Sequence, residues 1–369
     1  MPSATALVDL EQLRHDVDQA LQHHLDRLGG EVAAVGSPAT ALTDQVATLV
    51  QGGKRLRAAF CYWSYRAHGG PADDGPARTA VVRAGAALEL FQAAALLHDD
   101  VMDASDTRRG RPTAHRAFEA KHADAGWAGE PERFGTSAAI LLGDLCLVGC
   151  QRELREALEP LPSPTVAAAR ALFDDMQTEV IVGQYLDVLV QAEPWGIDPA
   201  VDEERARAVI RAKSARYSVE HPLALGAVLA GAKPEQVAAI RAAGLPLGEA
   251  FQLRDDVLGV FGDPEVTGKP AGDDLREGKR TVLMARTMAA GDPAQRVLVS
   301  ARLGDSALDA DAVIALRRAI VASGALATVE STIDALTATA LKTIELTGLA
   351  EPGRSMLVEL ARAAVDRAA

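Results

Sequence analysis

Residues 80–103 read AVVRAGAALELFQAAALLHDDVMD. Alanine and leucine, both strong helix formers, fill the stretch, and no proline interrupts it. It is too long for a strand and shows no alternation, so one long, largely buried helix is predicted over 80–102. The apolar run then ends in three carboxylates, Asp99, Asp100 and Asp103. On a helix Asp99 and Asp103 stand at i and i+4 and share a face. Like charges at that spacing repel unless a cation sits between them. Carboxylate oxygens suit a hard divalent cation such as magnesium. A solvated acidic patch is the alternative. The lead-in through Ala93, Ala94, Ala95, Leu96 and Leu97 argues against it, because solvent-facing helices carry their polar residues all along one side.

The rest of the chain has the same character. Segments 137–159, 165–191 and 205–231 read as further long helices, and aromatic residues are only 4%. No long stretch of alternating β-branched residues suggests a sheet, so the fold class is all-α. Glycine and proline cluster at 68–76, 126–135, 159–164, 192–199 and 262–272, the expected loops. None resembles an interdomain linker. A single domain over 1–369 is expected, with 1–8 a frayed end. The 38 basic and 51 acidic residues leave a formal net charge of −13, which argues against nucleic-acid binding and a polybasic membrane anchor. Anionic substrates stay open, because a site needs only a local cluster of cations. Cys146 and Cys150 lie one turn apart in an apolar run and read as buried thiols, which suits a reducing cytoplasm. No signal peptide is visible, and no run of 18 or more apolar residues predicts a membrane span.

A second acidic pair, Asp255-Asp256, follows FQLR at 251–254, with Asp263, Lys269, Asp273, Asp274 and Lys279 downstream. Two such pairs at the ends of apolar helices suggest one metal cluster between facing helices of a bundle. Cations supply the other half. GGKRLR at 52–57 sets Lys54, Arg55 and Arg57 behind two glycines at a predicted helix start, a suitable phosphate cradle. Arg108 and Arg109 follow the first acidic cluster, and Lys213, Lys269 and Lys279 are further candidates. Each alone reads as a surface charge. Together, carboxylates for magnesium beside cations for phosphate describe a diphosphate site.

These pieces occur in a telling order: GGKRLR at 52–57, LLHDDVMD at 96–103, TRRGRPTAH at 107–115, LLGD at 141–144, VGQYLD at 182–187, KS at 213–214, FQLRDD at 251–256 and TGKPAGDDLREGKRT at 267–281. In this the chain resembles the trans-isoprenyl diphosphate synthases, the polyprenyl synthetase family, and within it the bacterial geranylgeranyl and farnesyl branches. The resemblance implies a helical bundle of the isoprenoid synthase type around a deep central cavity, usually a homodimer. It implies a trinuclear Mg2+ cluster, with Mn2+ an alternative, joining an allylic diphosphate to both acidic motifs. By position, Asp99, Asp103 and Asp255 are the implied metal ligands. Asp256 helps through water, and Asp100 belongs to the same catalytic motif. Arg108, Lys213, Lys269 and Gln252 match positions holding the allylic diphosphate, with Ser214 and Lys279 also on the substrate side. Lys54, Arg57, Gln92 and Arg109 match the isopentenyl diphosphate pocket. Gln184 and Asp187, at i and i+3, match a polar pair facing the reacting carbons. Two departures stand out. Gly259 replaces an aspartate many members carry, which Asp263 one turn on could replace through water. Ser214 stands where threonine is common and keeps the hydroxyl.

The implied reaction is ionisation of the allylic diphosphate, attack by the double bond of isopentenyl diphosphate, and loss of a proton. No nucleophilic Ser or Cys is needed, and His98 reads as structural. The first helix would also measure the product. Leu88, Gln92, Ala95, Asp99 and Asp103 share a face, and small residues, Ala94 and Ala95, lie just below the carboxylates. In the family a bulky aromatic there stops growth early. Leu88 lies about 16 Å below Asp99 by helix rise, and an isoprene unit spans roughly 5 Å from bond lengths. Geranylgeranyl diphosphate is therefore the first expected product and farnesyl diphosphate the second. A class I terpene cyclase shares the first motif but has no use for GGKRLR. A nonenzymatic partner subunit would lose the aspartates. The faint P-loop at 262–269 lacks the required spacing and Ser/Thr.

Overall fold

The computed structural model describes residues 10–263 and 272–366. They are almost entirely helical: α1 Leu13–Val35, α2 Thr40–Val50, α3 Leu56–Ala67, α4 Pro76–Met102, α5 Ala114–Asp124, α6 Pro131–Leu158, α7 Ser163–Ala192 and α8 Pro199–Val209. A π-helical stretch, Ile210–Glu220, leads into α9 His221–Leu229 and α10 Pro234–Phe261. The chain continues with α11 Asp273–Arg276, α12 Val282–Ala290, α13 Pro293–Arg302, α14 Ala310–Ala322, α15 Ala325–Leu346 and α16 Gly353–Val365. The only strands among the described residues form a hairpin, β1 Thr107–Arg108 and β2 Arg111–Pro112, with Arg108 opposite Arg111. Arg109 and Gly110 turn it, both at positive φ (53° and 71°), as a two-residue hairpin requires.

Two expectations about element boundaries change. The loop expected over 126–135 closes early, because Pro131 opens α6. Proline suits a first helical turn, where its missing N–H costs nothing. The helix expected over 205–231 is three pieces. Pro222 offers no N–H to the helical ladder. Just before it, the wider π turns press Lys213 and Ala215 against glycines of α7 and α10. A Cβ on Gly183 would overlap the Lys213 backbone, and one on Gly248 would overlap the Ala215 carbonyl.

Contacts divide the chain into two units interleaved in sequence. The first takes residues up to Ala171 with Pro222–Val237 and Leu349–Leu360; the second takes Leu172–His221, Ala238–Gly348 and the residues from Ala361 onward. In the first unit α4 is nearly all interior. Ala93, Ala94 and Leu97 pack with Leu25, Val46, Val50, Phe118, Leu142 and Cys146. Small residues permit the close approach: a Cβ on Gly226 of α9 would strike the Cys61 carbonyl of α3. Deeper along α4, Arg83 joins buried Glu153 (2.6 Å) and Glu156 (2.7 Å), and Arg27 also meets Glu156 at 2.7 Å. In the second unit Arg254 of α10 makes a two-pronged pair with Glu330 of α15, 2.6 Å on each arm.

The expectation about membranes rested on uninterrupted apolar runs, and whole-helix hydropathy changes it. By length and composition alone, α4 and α6 are apolar enough to cross a bilayer. For α4 the reason is its place in the core, where 78% of the apolar window is buried. For α6 only 39% is buried, and Phe134, Ile140, Leu141 and Val148 are exposed. Cys61, Cys146 and Cys150 are buried and form no disulfide, and burial pushes the Cys146 thiol up to about 12.

Candidate active site

In the first unit α4 stops where its carboxylates begin to serve another purpose. Asp103 caps it, its N–H donating to the Asp99 carbonyl at 2.8 Å, so both side chains keep the one-turn spacing. Asp99 and Asp103 stay half-exposed while Asp100 is buried. The hairpin explains the difference. Arg108 Nε donates to Asp100 Oδ1 at 2.7 Å, and its Nη2 lies 2.6 Å from the same oxygen but 3.5 Å from Asp99. Asp100 is thus the anchor that fixes Arg108 beside the other two aspartates.

The basic motif splits in a similar way. Arg55 is buried, in the left-handed region (φ 53°), and donates to Asp18 at 2.8 Å and to Glu89 of α4 at 3.2 Å. A Cβ on Gly53 would strike the Arg55 guanidinium, so the glycine makes room for it. Lys54 is exposed and Arg57 half-exposed. Arg109 is exposed, yet partial desolvation holds its guanidinium below the ordinary value. Glu89 counters that shift, and the nearby Arg108, Arg55 and Arg57 add to it. Arg55 and Arg108 are held by carboxylates, while Arg57 and Arg109 add positive charge to the same neighbourhood, a local attraction for anions in a chain of net negative charge.

His98 lies against α6. Its Nε2 is 3.1 Å from the Ile140 carbonyl and 3.5 Å from Asp144, and a Cβ on Gly143 would overlap the ring. The LLGD stretch thus seats this imidazole, in keeping with its structural reading. Among the residues of α4 just before the carboxylates, Gln92, Ala95 and Leu96 are half-exposed, as is Asp99. Ala94 and Leu88 have no exposed surface, and Ala94 belongs to the packed cluster shared with α2, α5 and α6. The expectation that Ala94 and Leu88 line an open face changes accordingly: of the two alanines only Ala95 stands open.

In the second unit Lys213, on the π-helical stretch, reaches Asp187 of α7 at 2.5 Å. Ser214 follows it, and Gln184 lies one turn before Asp187, both half-exposed. On α10 Asp255 is half-exposed and Asp256 buried. Gln252 donates to Asp256 at 2.8 Å, so it supports the acidic pair from one turn away. Burial raises the Asp256 carboxyl to about 7; Gln252 opposes the shift, Asp274 and Asp255 add to it, and Lys279 opposes it. Lys279 lies 2.8 Å from Glu277 and 3.7 Å from Asp274. Lys269 lies outside the described residues.

A family model described as Polyprenyl synthetase matches residues 39–320. The chain belongs to the polyprenyl synthetase family. Among solved structures, a geranylgeranyl pyrophosphate synthase from Corynebacterium glutamicum, complexed with isoprenyl diphosphate and magnesium, is 38% identical. The match has a TM-score of 0.90 and covers 98% of this chain and all of that one. Geranylgeranyl diphosphate synthase of Sulfolobus acidocaldarius is 33% identical over 69% of this chain and 68% of its own length. Geranylfarnesyl diphosphate synthase of Aeropyrum pernix is 33% identical over 76% of this chain and 79% of its own.

Membership of the polyprenyl synthetases bears out the all-α expectation and the ordered motifs. Sequence reasoning missed that Asp100 holds Arg108 and that Arg55 turns inward to Glu89. Glu89 was the one visible signal, an acid inside an apolar helix. Among the described residues no three acidic or histidine side chains gather on a common point. Magnesium does not need such a cage: it binds through one or two carboxylates and completes its shell with phosphate oxygens and water. The hard oxygen donors of Asp99 and Asp103, one turn apart and half-exposed, suit it.

Proposed function

We propose that this polyprenyl synthetase condenses isopentenyl diphosphate with an allylic diphosphate, with geranylgeranyl diphosphate as product. The observation that carries the reading is the end of α4: paired Asp99 and Asp103 beside Arg108, Arg109 and Arg57. Relatives named for geranylgeranyl and geranylfarnesyl diphosphate support a long product. Asp99, Asp103 and Asp255 are the proposed magnesium ligands. Bound there, the metal would supply positive charge against the departing diphosphate. Manganese, with the same preference for oxygen donors, is the proposed substitute. The protein's own groups do the positioning. Asp100 holds Arg108 and Asp187 holds Lys213, so each of these cations is oriented before substrate arrives. Gln252 and Lys279 hold Asp256 and Asp274, and Ser214 and Lys269 complete the allylic side. Lys54, Arg57, Arg109 and Gln92 take isopentenyl diphosphate. Gln184 and Asp187 face the reacting carbons. Ala95 and Leu96 line the apolar approach below Asp99, which must stay dry because water would capture an allylic cation as an alcohol.

The same reading includes a homodimer in a reducing cytoplasm. Phe134, Leu141 and Val148 recur every seven residues along α6 and are exposed, a stripe that a second copy would cover. Sedimentation should give twice the chain mass; a monomer at working concentration would remove this part of the proposal.

The pocket assignment makes a kinetic prediction. Lys54→Ala and Arg57→Ala should raise KM for isopentenyl diphosphate by about 10-fold or more each, as expected for a charged hydrogen bond of roughly 1.5–3 kcal/mol. Lys213→Ala and Lys269→Ala should act chiefly on the allylic substrate. If both pairs weaken the same substrate, the assignment fails. The function itself is tested by incubating the enzyme with isopentenyl diphosphate, magnesium and dimethylallyl, geranyl or farnesyl diphosphate in turn. Chromatography of the dephosphorylated products should show geranylgeraniol as the end point from every accepted primer. Products formed equally well without isopentenyl diphosphate would favour a cyclase.

A further inference from the structure

The π-helical stretch Ile210–Glu220 calls for a cause, because such wide turns are rare and occur mostly at functional sites. Along α7, Glu179, Gly183 and Asp187 stand at four-residue intervals and so lie along one face. Each of them meets the stretch. Asp187 takes Lys213 at 2.5 Å. Gly183 lies so close to Lys213 that a Cβ there would overlap its backbone nitrogen. Glu179 takes two partners at once. Its Oε1 accepts from Arg216 Nη1 at 2.5 Å, and its Oε2 accepts from Nε2 of His221, the residue just past the stretch, at 2.8 Å. Burial would raise the Glu179 carboxyl, but His221 and Arg216 outweigh it and hold the group below its ordinary value. Burial also keeps the His221 ring below its ordinary value against the pull of Glu179, so the ring is neutral and donates one N–H. Arg216 has a looser second neighbour in Glu220 at 3.6 Å, but Glu220 is itself held by Arg241 at 2.8 Å.

We propose that Glu179 is a positioning residue for Lys213: by fastening Arg216 and His221 to α7, it holds the wide turns in the register that sets Lys213 on Asp187. The carboxylate touches no substrate. Its effect passes through Lys213, so the inference rests on the role proposed above for Lys213 in holding the allylic diphosphate. A lysine ammonium rides on a flexible four-carbon stem, and a single ion pair does not fix it unless the backbone beneath it is fixed. The close approach at Gly183 and the two-armed grip of Glu179 supply that. A purely structural Glu179 would change stability and leave the affinity for either substrate as it is.

The test is steady-state kinetics on the full-length enzyme, below the unfolding temperature of every variant. Glu179→Ala should raise KM for the allylic diphosphate about 10-fold or more, since a misplacement of about 1 Å can cost that much. KM for isopentenyl diphosphate should hold. Arg216→Ala removes one arm of the grip and should give a smaller shift on the same substrate. Glu179→Gln keeps the shape and an oxygen for Arg216, and should recover most of the affinity. Combining Glu179→Ala with Lys213→Ala should be no worse than Lys213→Ala alone, because the first acts through the second. Wild-type allylic KM in folded Glu179→Ala overturns the proposal. So does equal weakening of both substrates, or a double variant in which the two losses multiply. If Glu179→Ala does not fold, Arg216→Ala, alone and with Lys213→Ala, is held to the same criteria. Lys213→Ala by itself separates the two levels. A wild-type allylic KM there removes the pocket assignment and this inference with it. A raised KM there, with normal values in Glu179→Ala and Arg216→Ala, removes only the role of Glu179.

Discussion

Asp103→Ala is expected to lower turnover by at least about 10²–10³-fold, the range for deleting one preorganised electrostatic group at a centre of developing charge. Asp103 is the C-cap of α4 and stands one turn from Asp99. Its loss leaves a single carboxylate of the pair to hold a cation against a diphosphate. Arg108 should stay in place, because its close partner is Asp100 at 2.6 Å. Removing one of two neighbouring like charges also relieves repulsion, so thermal stability should hold or rise slightly. Asp255→Ala should produce a loss of the same order from the other motif. Steady-state rates at saturating substrates and ordinary magnesium check both, with circular dichroism to confirm the fold. Near-normal turnover in either variant would remove that aspartate from the metal site.

Ala95→Phe should shorten the product. Ala95 keeps partial exposure on α4, one turn below Asp99, about 6 Å by helix rise. A phenyl ring there would fill the path of a growing tail, and the product should shift from geranylgeranyl to farnesyl or geranyl diphosphate with dimethylallyl diphosphate still accepted. Ala94→Phe is a different experiment. Ala94 has no exposed surface and packs with Val50, Leu97, Phe118 and Leu142. A ring there overpacks a closed interior and should cost about 1–3 kcal/mol of stability. Product chromatography and thermal denaturation of both variants separate the effects. An unchanged product from active Ala95→Phe would mean that the tail runs along another helix.

Much of this was legible in the sequence because helices built on alanine and leucine declare themselves by length. The span of α4 and the face shared by Asp99 and Asp103 follow from composition and a 3.6-residue period. The ordered motifs carried the family. What was hidden depends on tertiary neighbours. The π-helical turns at Ile210–Glu220 come with the close approach of Gly183 and Gly248. The division of labour between Asp99 and Asp100 is set by which of them Arg108 reaches across the hairpin. In GGKRLR three cations look alike, yet Arg55 turns inward to Asp18 and Glu89. Whole-helix hydropathy, rather than uninterrupted apolar runs, was the property that α4 and α6 made visible.

The enzyme proposed above has one pocket for an allylic diphosphate and another for isopentenyl diphosphate, and ionises the first only to join it to the second. The most direct measurement is the inorganic diphosphate released from geranyl diphosphate and magnesium, with and without isopentenyl diphosphate, alongside the prenyl product. Release is expected only when isopentenyl diphosphate is present, with one diphosphate set free for each isoprene unit added. Comparable release from geranyl diphosphate alone, with alcohol or cyclic product and no elongation, would contradict the proposed function.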